Sequence, residues 1–362
     1  MAAAEPHQHG GDPASVFERL GIAEREVVDF SVSVSPFLPP QIFLKNWHSL
    51  HREIRRYPSL HGNGAADYYC RRFGLEKSCV LPGNGSTECI YLVPRALGFE
   101  RVVVVAPSYH DYERACRMAK AKTVVFPLES ENGFREPEQA ALGQALQSAD
   151  ALMLGNPNNP TNTLFRRDTL LNLAEEFPDK YILVDEAFIQ FLDDAEERTL
   201  LRSELLRSNL LVFHSLTKFY AIPGIRLGAV VGHPRTIGRL REHKEPWSVG
   251  GIAERAAQLL ADCDAYEKKL KSFIRSQRNQ FERNLVKLRD IRLFPSGSNF
   301  VLAQWTGSGD LDDLLGFLLK RGFYIRDCRN FKGLQDNFFR FAVLGKEENM
   351  ELIKQLKIYC RG

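Results

Sequence analysis

Lys218 and Arg226 stand in HSLTKFYAIPGIRLGAVVG, residues 214–232, a stretch that otherwise reads as largely buried. A lysine flanked by FYAIP is partly desolvated, which lowers its pKa and favours the neutral amine. A neutral amine can form a Schiff base with an aldehyde. Ser215, Thr217 and Arg226 crowd within a few positions, and hydroxyls with a guanidinium can share one phosphate. The bland alternative is a lysine snorkelling to solvent and an arginine in a structural ion pair. Ser215 to Lys218 also fits S-x-x-K, but the S-D-N and K-T-G strings of penicillin-binding proteins do not occur.

Three further stretches carry weaker signals. GNGSTE, 83–88, joins a strand to a helix, so Ser86 and Thr87 sit where helix-start N–H groups can hold an anion. Alone it is equally a glycine turn with a Ser/Thr cap. Glu88 replaces the third glycine of a dinucleotide fingerprint, and the Gly-Lys pair of a Walker loop is absent. Asp185 ends the run ILVDEAF, where a carboxylate can face a crevice and hold a protonated ring nitrogen, or merely cap a turn. NPNNPT, 156–161, fixes a turn with amides at its surface. A desolvated lysine, a strand-end aspartate, an amide turn and two phosphate-capable loops together suit one ligand, pyridoxal 5′-phosphate. The aldehyde takes Lys218, the ring nitrogen Asp185, and the phosphate the Ser/Thr/Arg cluster.

Positioning these residues requires a scaffold. The runs CVLP, RVVVVAP, KTVVFPL, ALMLGNP, KYILVDEAF, LLVFHS and RLGAVVG read as strands buried on both faces, with helical segments between most of them. That alternation predicts an α/β fold, a mostly parallel seven-stranded sheet between helices. Ligands of such sheets bind beyond the C-terminal strand ends, where all four loops fall. After a long polar helix over roughly 251–290, the C-terminal third reads as a smaller α+β domain. We expect an N-terminal arm with part of the small domain over 1–55, a cofactor-binding domain over 56–245 and a small domain over 246–362.

The 362 residues hold 48 basic and 45 acidic side chains, a net charge of +3, and no basic run that suggests nucleic acid or a membrane surface. Seven cysteines without a C-x-x-C pair argue against disulfides or structural zinc, so no metal site is expected and the expected compartment is a reducing cytoplasm. The first residues lack a signal-peptide pattern, and no apolar run is long enough to span a bilayer.

With RRYPS, GNGSTE, PSYHDYE, NPNNPT, VDEAF, SLTKFYAIPGIRLGA and FFRFAV in that order, the chain resembles fold-type I pyridoxal-phosphate enzymes of the aminotransferase superfamily over nearly its whole length. The resemblance implies that Lys218 binds the cofactor aldehyde and shuttles protons, and that Asp185 pairs with the ring nitrogen. It further implies that Asn159 bonds the phenolic oxygen and Tyr109 stacks on the ring. Ser86, Thr87, Ser215 and Arg226 would hold the phosphate, Tyr57 would reach the neighbouring subunit's cofactor in a homodimer, and Arg340 would bind the substrate carboxylate. Within the superfamily, HGGDPASVFERLGI followed by DFS, DEAF and IRDCRNFKGL are most similar to the threonine-phosphate decarboxylases of cobalamin biosynthesis. That implies a small phosphorylated amino acid as substrate and His9, Arg326 and Asn158 as phosphate ligands. The alternatives are an aminotransferase such as histidinol-phosphate aminotransferase, or an inactive or regulatory paralogue. The chain departs from the family at SVSVSP, where S-A-N-I-N-P is usual, at Asn162 in place of a glycine, at YPS in place of Y-P-D, and at Phe188 in place of a tyrosine.

Overall fold

The computed structural model describes residues 17–18, 27–334 and 337–360. Its largest sheet has the order β2 (Val80–Asn84), β8 (Leu227–Gly232), β7 (Leu210–Ser215), β6 (Tyr181–Asp185), β5 (Ala151–Gly155), β3 (Arg101–Ala106) and β4 (Lys122–Pro127). These are the seven apolar runs. Only β8 runs antiparallel to its neighbours; the other pairs are parallel.

Both parities of the central strands are apolar, so each strand feeds two cores. Val103, Val105, Leu152, Leu154, Ile182 and Val184 pack on one face. Val102, Val104, Ala151, Met153 and Leu183 pack on the other. Helix Gly85–Leu97 covers the second face with Cys89, Leu92, Val93 and Ala96, a 3.6-residue stripe. Helix Gln139–Gln147 covers the first with Leu142 and Leu146. Burying one such aliphatic side chain contributes ~1.5–3 kcal/mol, so a polar substitution in β3 or β5 offsets a large share of net stability. β4 differs from the reading of KTVVFPL as doubly buried. It lies at the sheet edge, and Val124 is 38% exposed, because β3 covers only one side of it.

A second sheet is antiparallel, in the order β12 (Arg326–Asp327), β13 (Phe338–Ala342), β10 (Phe300–Trp305) and β9 (Ile291–Leu293). The run FYIRDC is divided between two sheets. Its first half, β11 (Phe323–Tyr324), pairs in parallel with β1 (Val28–Asp29), and its second half joins β13. The polar helix expected over 251–290 is two, Gly251–Leu260 and Asp264–Leu285, separated by a turn at 261–263. The N-terminal segment contains helix Gln41–Leu50.

All seven cysteines are free thiols. Among the described residues no helix is long and apolar enough to cross a membrane.

Candidate active site

Five strand ends converge on a slot lined by Ser86, Thr87, Tyr109, Tyr112, Pro157, Asn159, Asp185, Ala187, Phe188 and Lys218. It opens into a cleft of about 400 Å³ that adds Ser33, Arg226 and Arg340. Lys218 is half-buried, and its Nζ lies 5.4 Å from the Phe188 ring centroid. Burial lowers its pKa; Asp185 opposes that, and Arg226 and Arg340 reinforce it. Asp185 closes β6. Burial raises its pKa, opposed by a 2.8 Å bond from the Tyr112 hydroxyl, by Lys218 and by the Ala187 N–H at 2.9 Å. Both carboxylate oxygens are thus fixed in place.

The anion cradle forms where β2, β8 and β7 lie side by side. Gly228 is in register with Gly83 on one neighbour and Ser215 on the other. A Cβ at Gly228 would stand 2.4 Å from the Ser86 nitrogen, so only glycine lets the helix start approach. Gly85 has φ +75°, and a Cβ there would meet Arg226 Nη2 at 2.5 Å. The guanidinium therefore lies directly over the first turn of helix Gly85–Leu97, whose N-terminus has no side-chain cap. Helix-start N–H groups beside an arginine form an anion site. Ser215 is buried and bonds Thr217 Oγ1 at 2.9 Å; it does not line the slot itself.

Arg340, on β13, donates from Nη1 to Asn159 Oδ1 and from Nη2 to the Ser31 carbonyl at 2.8 Å. Burial lowers its pKa to about 10, with Arg326 adding to the fall, so it stays protonated at neutral pH. Arg326 and Arg340 are register partners across β12 and β13, so their side chains share one face. Arg326 lines neither cavity; it donates to Asn330 Oδ1 at 3.0 Å and lies over Phe331.

Asn158 lines neither the slot nor the cleft. Asn158 is fully buried inside the NPNNPT turn, where its amide donates to the Pro107 carbonyl and Thr161 Oγ1, each at 2.7 Å. Those bonds hold the turn that presents Asn159. Tyr57 is 85% exposed and rests on Trp247. His9 lies outside the described residues.

Tyr112 was missed in the sequence, whereas Ser33, within SVSVSP, and Phe188 were noted there only as departures from the family pattern. Tyr112 bonds Asp185 across 73 residues; its only local signal is its position three residues after Tyr109, one helical turn along. Ser33 lines the cleft, signalled only by the alternation SVSVS. Phe188 was noted for the hydroxyl it lacks, and the structure adds that its ring supports Lys218. The Asn162 departure also has a physical account. Its φ is +57°, a conformation asparagine tolerates, and its side chain bonds the Phe300 carbonyl and Ser298.

Residues 25–356 match the model of the family "Aminotransferase class I and II". The chain belongs to this family. A threonine-phosphate decarboxylase of Salmonella typhimurium is 30% identical over 98% of this chain and 97% of its own length. Two solved structures are similar. The histidinol-phosphate aminotransferase of Clostridium acetobutylicum has a TM-score of 0.84 and 26% identity, covering 92% of this chain and 98% of its own. The L-threonine-O-3-phosphate decarboxylase of Porphyromonas gingivalis has a TM-score of 0.79 and 25% identity, covering 91% and 99%. Aminotransferase-family enzymes of this kind use pyridoxal 5′-phosphate, and the residues here fit it. The cradle at Gly85 and Gly228 excludes side chains, Asp185 is a fixed carboxylate, and Lys218 is a desolvated amine in the same slot.

Proposed function

We propose that the chain decarboxylates a phosphorylated amino acid, L-threonine O-3-phosphate, to 1-aminopropan-2-yl phosphate, the step used in cobalamin biosynthesis. One observation carries this reading: the buried guanidinium of Arg326 stands in register with that of Arg340. Like charges directly opposite are destabilising. A substrate bearing a carboxylate and a phosphate would offset that repulsion with two anions.

Bound pyridoxal phosphate supplies the electron sink that makes a carbanion at Cα accessible. The side chains decide which bond breaks, since the bond perpendicular to the ring is the one activated. Arg340 would hold the carboxylate, Arg326 with His9 would hold the phosphate, and Asn159 would bond the cofactor's phenolic oxygen, so that the two anion sites fix which bond at Cα is activated. Lys218 Nζ returns a proton to Cα after carbon dioxide leaves. Tyr109 would stack on the ring. Burial around Phe188 would keep water from the reacting carbon.

Arg326→Gln should raise KM for threonine phosphate about a hundredfold and leave the weak handling of unphosphorylated threonine unchanged. Equal loss for both amino acids contradicts the phosphate role. A second reading, transamination, is favoured by the similarity to the histidinol-phosphate aminotransferase structure.

We also propose a cytoplasmic homodimer in which Tyr57 reaches the partner's cofactor phosphate. Tyr57, Trp247, Ile54 and Trp47 are all about half exposed or more, an apolar surface suited to a second copy. Sedimentation equilibrium should give a two-chain particle, and a monomer at micromolar concentration contradicts it.

A further inference from the structure

Glu88 stands where a dinucleotide fingerprint would have its third glycine, and it lines neither the slot nor the cleft. Its helix, Gly85–Leu97, starts without a side-chain cap on the residue before it. The Glu88 carboxylate supplies the missing contact from inside the first turn. Glu88 Oε2 accepts from the Asn84 N–H, four residues back at the end of β2. That is the returning half of a capping box, one residue later than usual. The loop is thus held from behind, while Ser86 and Thr87 face the slot.

A carboxylate beside an anion site works against it, since like charges repel. The offsetting charge comes from Lys244, whose side chain is only 1% exposed. Its Nζ lies 3.3 Å from Glu88 Oε1 and donates to the Ser248 hydroxyl, which donates in turn to Glu88 Oε2 at 3.0 Å. Three side chains therefore close a ring behind the cradle. A buried ammonium is unfavourable unless it is paired, so its placement here calls for a purpose. Lys244 and Ser248 lie just beyond helix Pro234–Glu242, and the Trp247 N–H between them is tied to the Leu60 carbonyl at 3.0 Å. The opposite side of the loop meets Arg226, the guanidinium over Gly85.

We propose that Glu88 and Lys244 are positioning residues for the cofactor phosphate. Glu88 holds the start of helix Gly85–Leu97 in the shape that aims its N–H groups and the Ser86 and Thr87 hydroxyls at one anion. Lys244 offsets the carboxylate, so that a phosphate can settle on the same loop. This role depends only on the cofactor, and not on the choice between decarboxylation and transamination.

The test uses the full chain, stripped of cofactor and titrated with pyridoxal 5′-phosphate or with pyridoxal, which lacks the phosphate. The visible band of the bound aldehyde reports each dissociation constant. Glu88→Ala should weaken pyridoxal phosphate about thirtyfold and pyridoxal less than about threefold. Glu88→Gln keeps an acceptor for the Asn84 N–H and should stay within about threefold of wild type for both ligands. Lys244→Met keeps the length of the side chain but leaves the carboxylate unopposed. It should weaken pyridoxal phosphate about tenfold and pyridoxal less than about threefold. Lys244→Met leaves the Asn84 contact in place, so it carries the test even where Glu88→Ala fails to fold. Equal weakening of the two ligands, no weakening of pyridoxal phosphate, or a loss in Glu88→Gln as large as in Glu88→Ala overturns the proposal.

Discussion

Lys218→Ala should lower turnover at least about a thousandfold, the scale expected when a positioned acid–base group is removed. Borohydride should then no longer fix the cofactor to the chain. The effect is large because nothing nearby can substitute. Lys218 is the only lysine lining the slot or the cleft among the described residues. The neighbouring side chains Arg226 and Arg340 are guanidiniums, which do not act as nucleophiles. Its poise is environmental: burial over the Phe188 ring favours the neutral amine, and Asp185 limits that fall. Lys218→Arg keeps a long basic side chain but no amine able to form a Schiff base, and should be as inactive. Retained turnover in either variant contradicts the assignment.

Asp185→Asn should be the next most damaging change. The amide has nearly the same shape, so the fold should persist with a melting temperature within a few degrees of wild type. What disappears is a charge whose two oxygens are held by Tyr112 and Ala187. A ring nitrogen facing an amide loses its counter-charge, and the cofactor becomes a poorer electron sink. Removing one partner of a buried charge pair costs about 3–5 kcal/mol, a hundredfold to a few thousandfold in rate. The loss should fall on kcat more than on KM, because the carboxylate meets the cofactor and not the substrate. The Lys218 pKa should fall further, since Asp185 is the neighbour that raises it. A kcat within about threefold of wild type would remove Asp185 from the chemistry.

The parts of this site that were legible in the sequence are local ones. Lys218, Asp185, Asn159, Ser86 and Thr87 each lie in a short loop after an apolar run, and a strand end places its own loop at the crevice. Both parities of β3, β5, β6, β7 and β8 are apolar, so those strands also read correctly. β4 has a similar composition, but edge position depends on sheet order, which single runs do not encode. Pairings between distant residues were hidden for the same reason. The Arg340–Asn159 bond spans 181 residues, and the register of Arg326 with Arg340 depends on how β12 meets β13. Asn158 and Asn159 look alike in NPNNPT, whereas the turn faces one inward and presents the other to the slot. The half-strand break in FYIRDC arises because β11 and β12 find partners in different sheets.

The decisive measurement is the fate of carboxyl-labelled L-threonine O-3-phosphate incubated with the holoenzyme without any 2-oxo acid. The account predicts stoichiometric release of labelled carbon dioxide with formation of 1-aminopropan-2-yl phosphate. Retention of the label, with turnover appearing only when 2-oxoglutarate is added, would contradict it.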